Sequence, residues 1–347
     1  MTKFLQDIYR QPEALQDSMG FTLSEGMHAL GEAQKLIKGA RYVFIASIGA
    51  SWNAGLAIQA AFNEAGITTQ LFDSAEFLHF TKIPKNTVVI LPSRSGKSVE
   101  IVQSVTKCRE AEAKIISITN DPQSPLGKGS DVCLDTHVDF DHSISVNTYT
   151  SIVLIGQLLA VFAGNLLTVK EAEKSITNAL SATTPNISVW HEQIELSDWL
   201  NRDYASYFLG RGGNLASAYE AMLIWQEGAK HPASAMSTGA FRHGPQEILI
   251  NKMNIGIWVD NRVARTNDFT LIGDILKQGV KVLTIGTDIP EDLGGLKIEI
   301  PEIHPVFQPL INVIPAQLAT DIFSALKGEN PDGFRFCKFV VETDGGL

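Results

Sequence analysis

The feature that most constrains the fold of this chain is an alternation of apolar runs and helical segments that occurs twice. The apolar runs lie at 42–46, 69–72, 87–91, 114–119, 207–209, 255–259 and 281–285. Runs of this length, separated by segments with helical periodicity, are typical of βαβ units with parallel strands. The runs of the second half repeat the order of the first, which indicates a duplicated domain. We therefore predict an α/β fold with two mainly parallel sheets, each covered by helices.

The length of the chain agrees with two domains. It has 347 residues, 44% of them hydrophobic, which is enough to bury two cores. We place the linker at 183–186, where the sequence Thr-Thr-Pro-Asn is typical of a loop. The predicted parts are an N-terminal helical segment at 1–26, a first domain at 27–185, a second domain at 186–330 and a C-terminal tail at 331–347.

Composition argues against several classes of function. The formal net charge is −10 and no basic cluster is present, so we expect no nucleic-acid partner. The three cysteines show no CxxC spacing, which is typical of reduced thiols in a cytosolic protein. The apolar stretch 152–167 is short for a membrane span, and no apolar segment follows Met1–Phe4 as a signal peptide would require. We expect a cytoplasmic protein without membrane contact.

A turn rich in hydroxyl groups follows the apolar run at 87–91. It spans Ser93–Ser98, with the sequence Ser-Arg-Ser-Gly-Lys-Ser, and a segment with a helical apolar face begins at Val99. The free amides and the dipole at the start of a helix favour an anion, which predicts a phosphate site. A nucleotide P-loop needs a Gly five residues before the Gly-Lys pair, and Leu91 stands there, so we exclude that motif. A solvated turn without a ligand remains the alternative.

The two halves differ at this turn. The corresponding stretch of the second half, 260–265, reads Asp-Asn-Arg-Val-Ala-Arg and lacks the hydroxyl cluster. Both halves could share a turn that served architecture alone. The difference therefore indicates one ligand site, in the first half.

Short motifs in a fixed order resemble those of the sugar isomerase (SIS) family in its two-domain form. Ile48–Ser51 is similar to the family's Gly-Thr-Ser turn, and Ser93–Ser98 is similar to its Ser-Gln-Ser-Gly-Glu-Thr phosphate loop. Leu209–Gly212, Phe241–Pro245 and Cys337–Glu342 resemble further segments. The resemblance covers nearly the whole chain and implies two tandem SIS domains, each a three-layer αβα sandwich. The family includes the isomerase half of glutamine–fructose-6-phosphate aminotransferase, amino-sugar-phosphate deaminases and fructosamine-6-phosphate deglycases.

The resemblance implies roles for individual residues. The residues implied to hold the substrate phosphate are Ser51, Ser93, Arg94 (through its amide), Ser95 and Ser98. The residues implied to contact the sugar are Ala50, Ser145 and Asn147. Glu227 is implied to move a proton between C1 and C2, His243 to open the sugar ring from the neighbouring subunit, and Lys338 to lie beside the sugar. The resemblance also implies a homodimer, a small phosphosugar ligand and no cofactor or metal.

Elementary chemistry supports two of these assignments. Glu227 lies near the C-terminal end of a helix, and Ile224 lies three residues earlier on nearly the same face. An apolar neighbour and the negative end of the helix dipole both raise the pKa of a carboxyl group, as a general base near neutrality requires. His243 precedes a Gly-Pro pair, which indicates a rigid loop, and a neutral imidazole can carry a proton. The alternatives are a solvated Glu, a structural His and an ordinary surface Lys at 338.

The stretch 137–142, His-Val-Asp-Phe-Asp-His, also offers a metal site. In a strand, His137, Asp139 and Asp141 would share one face, and their side chains suit a divalent ion. No second ligand cluster stands out in the sequence. We therefore favour a polar loop here and expect no metal.

Two departures from the family narrow the expected function. Ile224 stands where the family's synthase carries a Lys, and no glutaminase region with an N-terminal Cys nucleophile is present. We expect no glutamine-fed ammonia transfer and predict a cofactor-free isomerase or deaminase acting on a hexose 6-phosphate or an amino-sugar 6-phosphate. One alternative is a fructosamine-6-phosphate deglycase. Another, from a different class, is a non-catalytic sugar-phosphate sensor.

Overall fold

The computed structural model describes residues 1–343 and 345. The helices of eight or more residues are α1 (Lys3–Thr22), α2 (Met27–Gly39), α3 (Ala50–Glu64), α5 (Val99–Glu110), α7 (Asn147–Ala163), α8 (Val169–Glu195), α9 (Asn214–Glu227), α11 (Arg265–Lys277) and α13 (Ile314–Lys327). The shorter helices are α4 (Ser74–Phe80), α6 (Pro125–Gly129), α10 (Thr238–Phe241) and α12 (Pro309–Asn312). The strands are β1 (Tyr42–Ser47), β2 (Thr69–Asp73), β3 (Thr87–Pro92), β4 (Lys114–Thr119), β5 (Val132–Asp135), β6 (Ala205–Gly210), β7 (Ala233–Ser237), β8 (Met253–Trp258), β9 (Lys281–Gly286) and β10 (Leu296–Glu299).

The two five-stranded sheets have the same strand order. The first sheet runs β2-β1-β3-β4-β5, and the second runs β7-β6-β8-β9-β10 when read from β7. Neighbouring strands pair in parallel in both sheets. Helices flank each sheet, as βαβ connections require. The predicted α/β class with two parallel sheets is confirmed.

Three short strands had no counterpart among the predicted apolar runs. These strands, β5, β7 and β10, each lie at the edge of a sheet. An edge strand is partly exposed and does not need the continuous apolar run that marks a strand buried on both faces. In β7, for example, all five residues are only partly buried.

The chain forms two compact units, each built around one sheet. The first-sheet unit contains Glu13–Asp141, Ser145–Ser175 and the described residues 334–343. The second-sheet unit contains Met1–Pro12, His142–Ile144 and Ile176–Gly333. The domain boundaries expected at 26/27, 185/186 and 330/331 stay predictions.

The predicted linker at 183–186 is wrong, because these residues lie inside α8. Pro185 removes one helical hydrogen bond. The helix nevertheless continues, since its apolar face is buried on both sides of this residue, at Leu180, Ile187 and Trp190 among others.

Two apolar helical segments belong to the cores. All residues of α7 are buried, which confirms the buried helix expected near 152–167. Within the described residues, the segment Pro305–Lys327 is long and apolar enough to qualify as a candidate membrane span. Most of it, 83% of the relevant window, is buried inside the protein, as in a helix that belongs to a core.

Candidate functional site

The hydroxyl-rich loop lies at the carboxyl end of β3, in the first-sheet unit. The amide of Ser93 donates to the carbonyl of Ile118, which extends the pairing with β4 by one residue. Ser98, with φ −56° and ψ 137°, is the N-cap residue of α5, and its side chain makes no capping bond. The predicted strand–turn–helix arrangement is therefore present, with the loop directed at the start of a three-turn helix.

Gly96 determines the path of this loop. Its φ of +62° lies in the left-handed region, where a side chain is strained. A Cβ atom at this position would also lie 2.1 Å from Oγ of Ser124 and 2.8 Å from its Cβ. Both the backbone angle and the close approach require glycine.

Two of the loop serines hold the loop together. Oγ of Ser93 accepts a hydrogen bond from the amide of Gly96 at 3.1 Å, and Oγ of Ser95 accepts one from the amide of Lys97 at 3.2 Å. These two side chains are 5% and 7% exposed. Such neutral groups at a helix N-terminus leave the positive end of the helix dipole available to an anion.

A second loop reaches the same edge of the first sheet. Since β1 and β3 are adjacent and parallel, the turn after β1 and the loop Ser93–Ser98 lie at neighbouring carboxyl ends. Ala50 and Ser51 form the first turn of α3, and both are partly exposed. The N-cap residue is Gly49, whose φ of 60° again requires glycine. This is the switch point of the strand order, where open α/β sheets place their ligands.

Arg94 joins three parts of the first-sheet unit. Its guanidinium donates to Oγ of Ser145 at 2.9 Å and to the carbonyl of Phe339 at 3.0 Å. It also lies over the ring of Phe339, 3.9 Å from the centroid. A further bond joins the amide of Val99 to the carbonyl of Val341 at 3.0 Å. The C-terminal tail is therefore docked on the hydroxyl-rich loop, a role of the Arg94 side chain that the sequence did not indicate.

Lys97 and Lys338 are both exposed, but their surroundings differ. Lys97 forms an ion pair with Asp121 at 2.9 Å. The hydrogen bond of this pair raises the pKa of Lys97 and lowers the pKa of Asp121. Lys338 lies in the docked tail, one residue before Phe339, and its side chain is exposed. Its predicted role beside the sugar stays a prediction.

The carboxylate of Asp141 holds the start of α7. Its carboxylate accepts bonds from the amides of Val146, Asn147 and Thr148 and from the side chains of Asn147 and Thr148. These amides are the unpaired donors of the first turn of the helix. Asn147 is fully buried, and its predicted contact with a sugar stays a prediction.

The stretch 137–142 forms a loop, which agrees with the loop that the sequence analysis favoured over a strand. His137 has a left-handed φ of 50°, and its ring stacks on Phe21 with centroids 4.0 Å apart. The residues around it form no regular element, so His137, Asp139 and Asp141 do not share a strand face. Over the part of the chain that the structure describes, no group of three or more His, Cys, Asp or Glu side chains could hold a metal ion.

Glu227 is the last residue of α9, in the second-sheet unit. It is partly exposed, whereas Ile224, one turn earlier, is fully buried. The next residue, Gly228, donates to the carbonyl of Ile224 at 2.7 Å. A carboxylate on a rigid helix end next to an apolar face is an arrangement that suits a general base.

His243 lies in the same unit, in an exposed turn between α10 and a short 3₁₀ helix, Pro245–Ile248. Its amide donates to the carbonyl of Ala240 at 3.0 Å, and Gly244 follows with a φ of 128°. A groove of about 530 Å³ opens beside this turn, lined among others by Arg242 and Gln246. The imidazole is accessible, as an acid or base that serves a bound sugar has to be.

Comparisons with known proteins match one part of the chain to a family and most of the chain to longer relatives. Residues 36–162 match the family described as SIS domain. The glutamine–fructose-6-phosphate aminotransferase (isomerizing) of Pyrobaculum aerophilum is 26% identical over an alignment of 341 residues, which covers 94% of this chain and 55% of that protein. The chain thus spans about half the length of this relative.

Two solved structures share the fold. The C-terminal domain of glucosamine-fructose-6-phosphate aminotransferase from Francisella tularensis has a TM-score of 0.86 at 22% identity, with 94% of this chain and 96% of that chain covered. Glucosamine-6-phosphate deaminase from Thermotoga maritima has a TM-score of 0.80 at 20% identity, with 98% and 99% covered. The match to the SIS-domain family covers residues 36–162, and the second sheet repeats the strand order of the first.

Proposed function

We propose that this chain is a phosphosugar isomerase or deaminase that acts on a hexose 6-phosphate or an amino-sugar 6-phosphate. The observation that carries the proposal is the loop Ser93–Ser98, which lies at the start of α5 and at the switch point of the first sheet. Its hydroxyl groups and helix-end amides suit a phosphate dianion. The named relatives, an aminotransferase that isomerizes and a deaminase, act on molecules of this class according to their names.

The chemistry needs only proton transfers. His243 would pass a proton to the ring oxygen and open the sugar. Glu227 would then take the proton from one of the carbons C1 and C2 and return it to the other, through a cis-enediol or enamine. With an amino sugar the product is an imine at C2, to which water adds before ammonia leaves. Binding of the phosphate fixes the carbon chain for these steps.

Further assignments complete the proposal. The phosphate ligands would be Ser51, Ser93, Ser95, Ser98 and the amide of Arg94. Ala50 and Ser145 would contact the sugar, with Lys338 beside it. We also propose a cytoplasmic homodimer in which His243 acts across the interface, without cofactor or metal.

A second candidate is a fructosamine-6-phosphate deglycase. Ile224 favours it, because this buried apolar residue stands where the synthase of the family carries a Lys. The same proton transfer would then precede release of an amine instead of ammonia. A non-catalytic sensor would keep the phosphate loop but would have no use for Glu227.

The test follows by NMR the loss to deuterated water of the C2 proton of an aldose or of a C1 proton of a ketose, together with release of ammonia or amine. The substrates are hexose 6-phosphates, amino-sugar 6-phosphates and a 6-phosphorylated fructosamine. Exchange without release indicates an isomerase, release from an amino sugar a deaminase, and release from the fructosamine a deglycase. Saturable binding without exchange or release indicates a sensor, and no binding contradicts the phosphate loop.

Glu227→Gln separates catalysis from binding. Loss of a general base lowers exchange by about 10² to 10⁴-fold, whereas sugar-phosphate affinity should stay close to that of the wild type. Glu110→Gln is the matched control, since Glu110 is likewise the last residue of a helix, α5, but is exposed. This control should exchange protons at the wild-type rate.

A further inference from the structure

The turn after α9 carries a lysine whose ammonium group is held by three main-chain carbonyls. Nζ of Lys230 donates to the carbonyl oxygens of Glu227 at 2.6 Å, Asn330 at 2.8 Å and Gly333 at 2.7 Å. An ammonium group has three donors, and three carbonyls receive them. Lys230 also has a left-handed φ of 48°, which is uncommon for a residue with a side chain.

The first of these bonds fixes the end of the helix that carries Glu227. The last carbonyls of a helix lack partners within it and lie at the negative end of its dipole, so a cation is favourable there. Gly228 packs tightly at the same helix end, because a Cβ atom on it would lie 2.7 Å from Cγ2 of Thr320. The ring of Trp225 stacks on Phe323, with centroids 4.6 Å apart. The backbone on both sides of Glu227 is therefore held.

The other two bonds fix the segment that follows α13. Asn330 and Gly333 lie after the end of this helix, where the C-terminal tail at 331–347 begins, and this tail bears Lys338. Asp332, between them, accepts hydrogen bonds from the amides of Lys3 and Phe4 at 2.9 and 2.7 Å. One ammonium group thus ties the helix end at Glu227 to an anchored segment about 100 residues further along the chain.

The same turn is tied a second time from α13. Nζ of Lys327 contacts the carbonyl of Lys230 at 3.3 Å and Nδ1 of His231 at 3.1 Å. Because an ammonium group only donates, Nδ1 of His231 accepts, and its Nε2 donates to the carbonyl of Tyr204 at 2.9 Å. The left-handed backbone of Lys230 is held on both sides by these contacts.

We propose that Lys230 is a positioning residue for the proton transfer. Its ammonium group sets the direction of the Glu227 side chain by fixing the end of α9, and it sets the point from which the C-terminal tail leaves this unit. The catalytic consequence rests on the proposed function, with Glu227 as the base. Lys230 acts through the main-chain oxygens to which its ammonium group donates.

The test compares Lys230→Met with Lys297→Met in the full chain. Lys297 is a matched control, because its Nζ also donates to a carbonyl in the same unit, that of Glu291 at 2.7 Å. We expect Lys230→Met to lower kcat by about tenfold or more with KM changed less than about threefold, since misplacement of a reacting group costs rate. Amide hydrogen exchange should become faster at 226–229 and 330–333, and Lys297→Met should change neither quantity.

Lys230→Arg is a second, more conservative variant that keeps the test valid if Lys230→Met does not fold. It keeps the charge, but a planar guanidinium cannot direct three donors from one nitrogen, so its kcat should fall between those of the wild type and Lys230→Met. A kcat for Lys230→Met within twofold of the Lys297→Met value overturns the proposal while leaving the function in place. If the wild type exchanges no substrate proton with deuterated water, the proposed function fails instead. The positioning role is then tested by amide hydrogen exchange alone, and it is overturned if Lys230→Met and Lys230→Arg leave amide exchange unchanged.

Discussion

The loops after β3 and β8 hold the same position in two sheets of one strand order, yet their polar groups behave differently. In the first loop, Ser93 and Ser95 accept amides of their own loop, and neutral hydroxyls face the start of α5. In the second loop, Asp260 accepts the amide of Ala264, just before α11 begins. The first loop presents neutral groups where the second presents a carboxylate.

A buried carboxylate completes this difference in the second-sheet unit. Asp268 is 0% exposed and forms an ion pair with Arg211 at 2.5 Å. It also accepts the amide of Asp260 at 3.0 Å and the hydroxyl of Thr238. Arg211, at this switch point, is therefore neutralised by a carboxylate of the protein itself. A duplicated fold can thus keep two equivalent positions while only one of them is suited to an external anion.

The largest effect is expected from Asp268→Asn, which breaks the internal ion pair of the second loop. An amide can accept at one oxygen only, so either Arg211 or the amide of Asp260 loses its partner in a buried place. The free energy of unfolding should fall by about 3 kcal/mol, measured by urea denaturation.

The control for this variant is Asp274→Asn on the same helix. Asp274 is 62% exposed and pairs with Lys277, so its loss should cost about 0.5 kcal/mol or less. A loss below about 1 kcal/mol for Asp268→Asn would mean that the carboxylate does not hold the second loop together.

A smaller effect is expected from Gly96→Ala in the first loop. The left-handed φ and the contact with Ser124 force the loop to shift, at a cost of about 1 to 3 kcal/mol in stability. Because the loop amides move, affinity for inorganic phosphate or a hexose 6-phosphate should fall by about tenfold or more, measured by calorimetry.

Gly273→Ala in α11 is the matched substitution in the other unit. Outside the backbone of α11 itself, no atom lies within 4 Å of the added Cβ atom, so stability should rise by up to about 1 kcal/mol while phosphate affinity stays unchanged. Wild-type phosphate affinity in Gly96→Ala would falsify the assignment of this loop as the anion site.

The smallest effect is a pH dependence of stability that arises from His231 in the second-sheet unit. Burial, followed by the nearby Lys327, lowers the pKa of His231 in the second-sheet unit below its usual 6.5. The unfolded chain therefore binds more protons than the folded one between 6.5 and this lowered pKa, and stability falls as pH falls through that window. The effect should stay below about 1 kcal/mol, because the imidazole is partly exposed.

Urea denaturation between pH 8 and 5 checks this prediction. His231→Gln should flatten the decrease, whereas His79→Gln, an exposed residue of the first-sheet unit, should leave it in place. The pair of Lys97 and Asp121 in the first-sheet unit affects stability in a different pH range. The pKa of Asp121 is lowered from 3.8, so the stability that this carboxylate contributes is lost only below pH 3.8. An equal slope in the wild type and His231→Gln would assign the pH dependence to other groups.

The sequence by itself determined the central strands and the loops that follow them. The runs predicted at 42–46, 87–91 and 114–119 agree with β1, β3 and β4, because a strand covered on both faces must be apolar along its whole length. The hydroxyl-rich turn was also predictable, because Gly96 and three serines lie between a buried strand and the start of a helix. Family resemblance then supplied the roles of Glu227, His243 and Lys338, which still await experiment.

Only the tertiary structure decided what joins these parts. Arg94 meets Ser145 and Phe339 across 51 and 245 positions, and Lys230 meets Asn330 across 100. Local sequence patterns also did not predict the edge strands, the continuous helix through Pro185 or the use of Asp141 by α7. Periodicity records which face of a segment is buried, over one or two turns of chain. It does not record which distant residue will lie against that face, because that depends on how the sheets and helices pack.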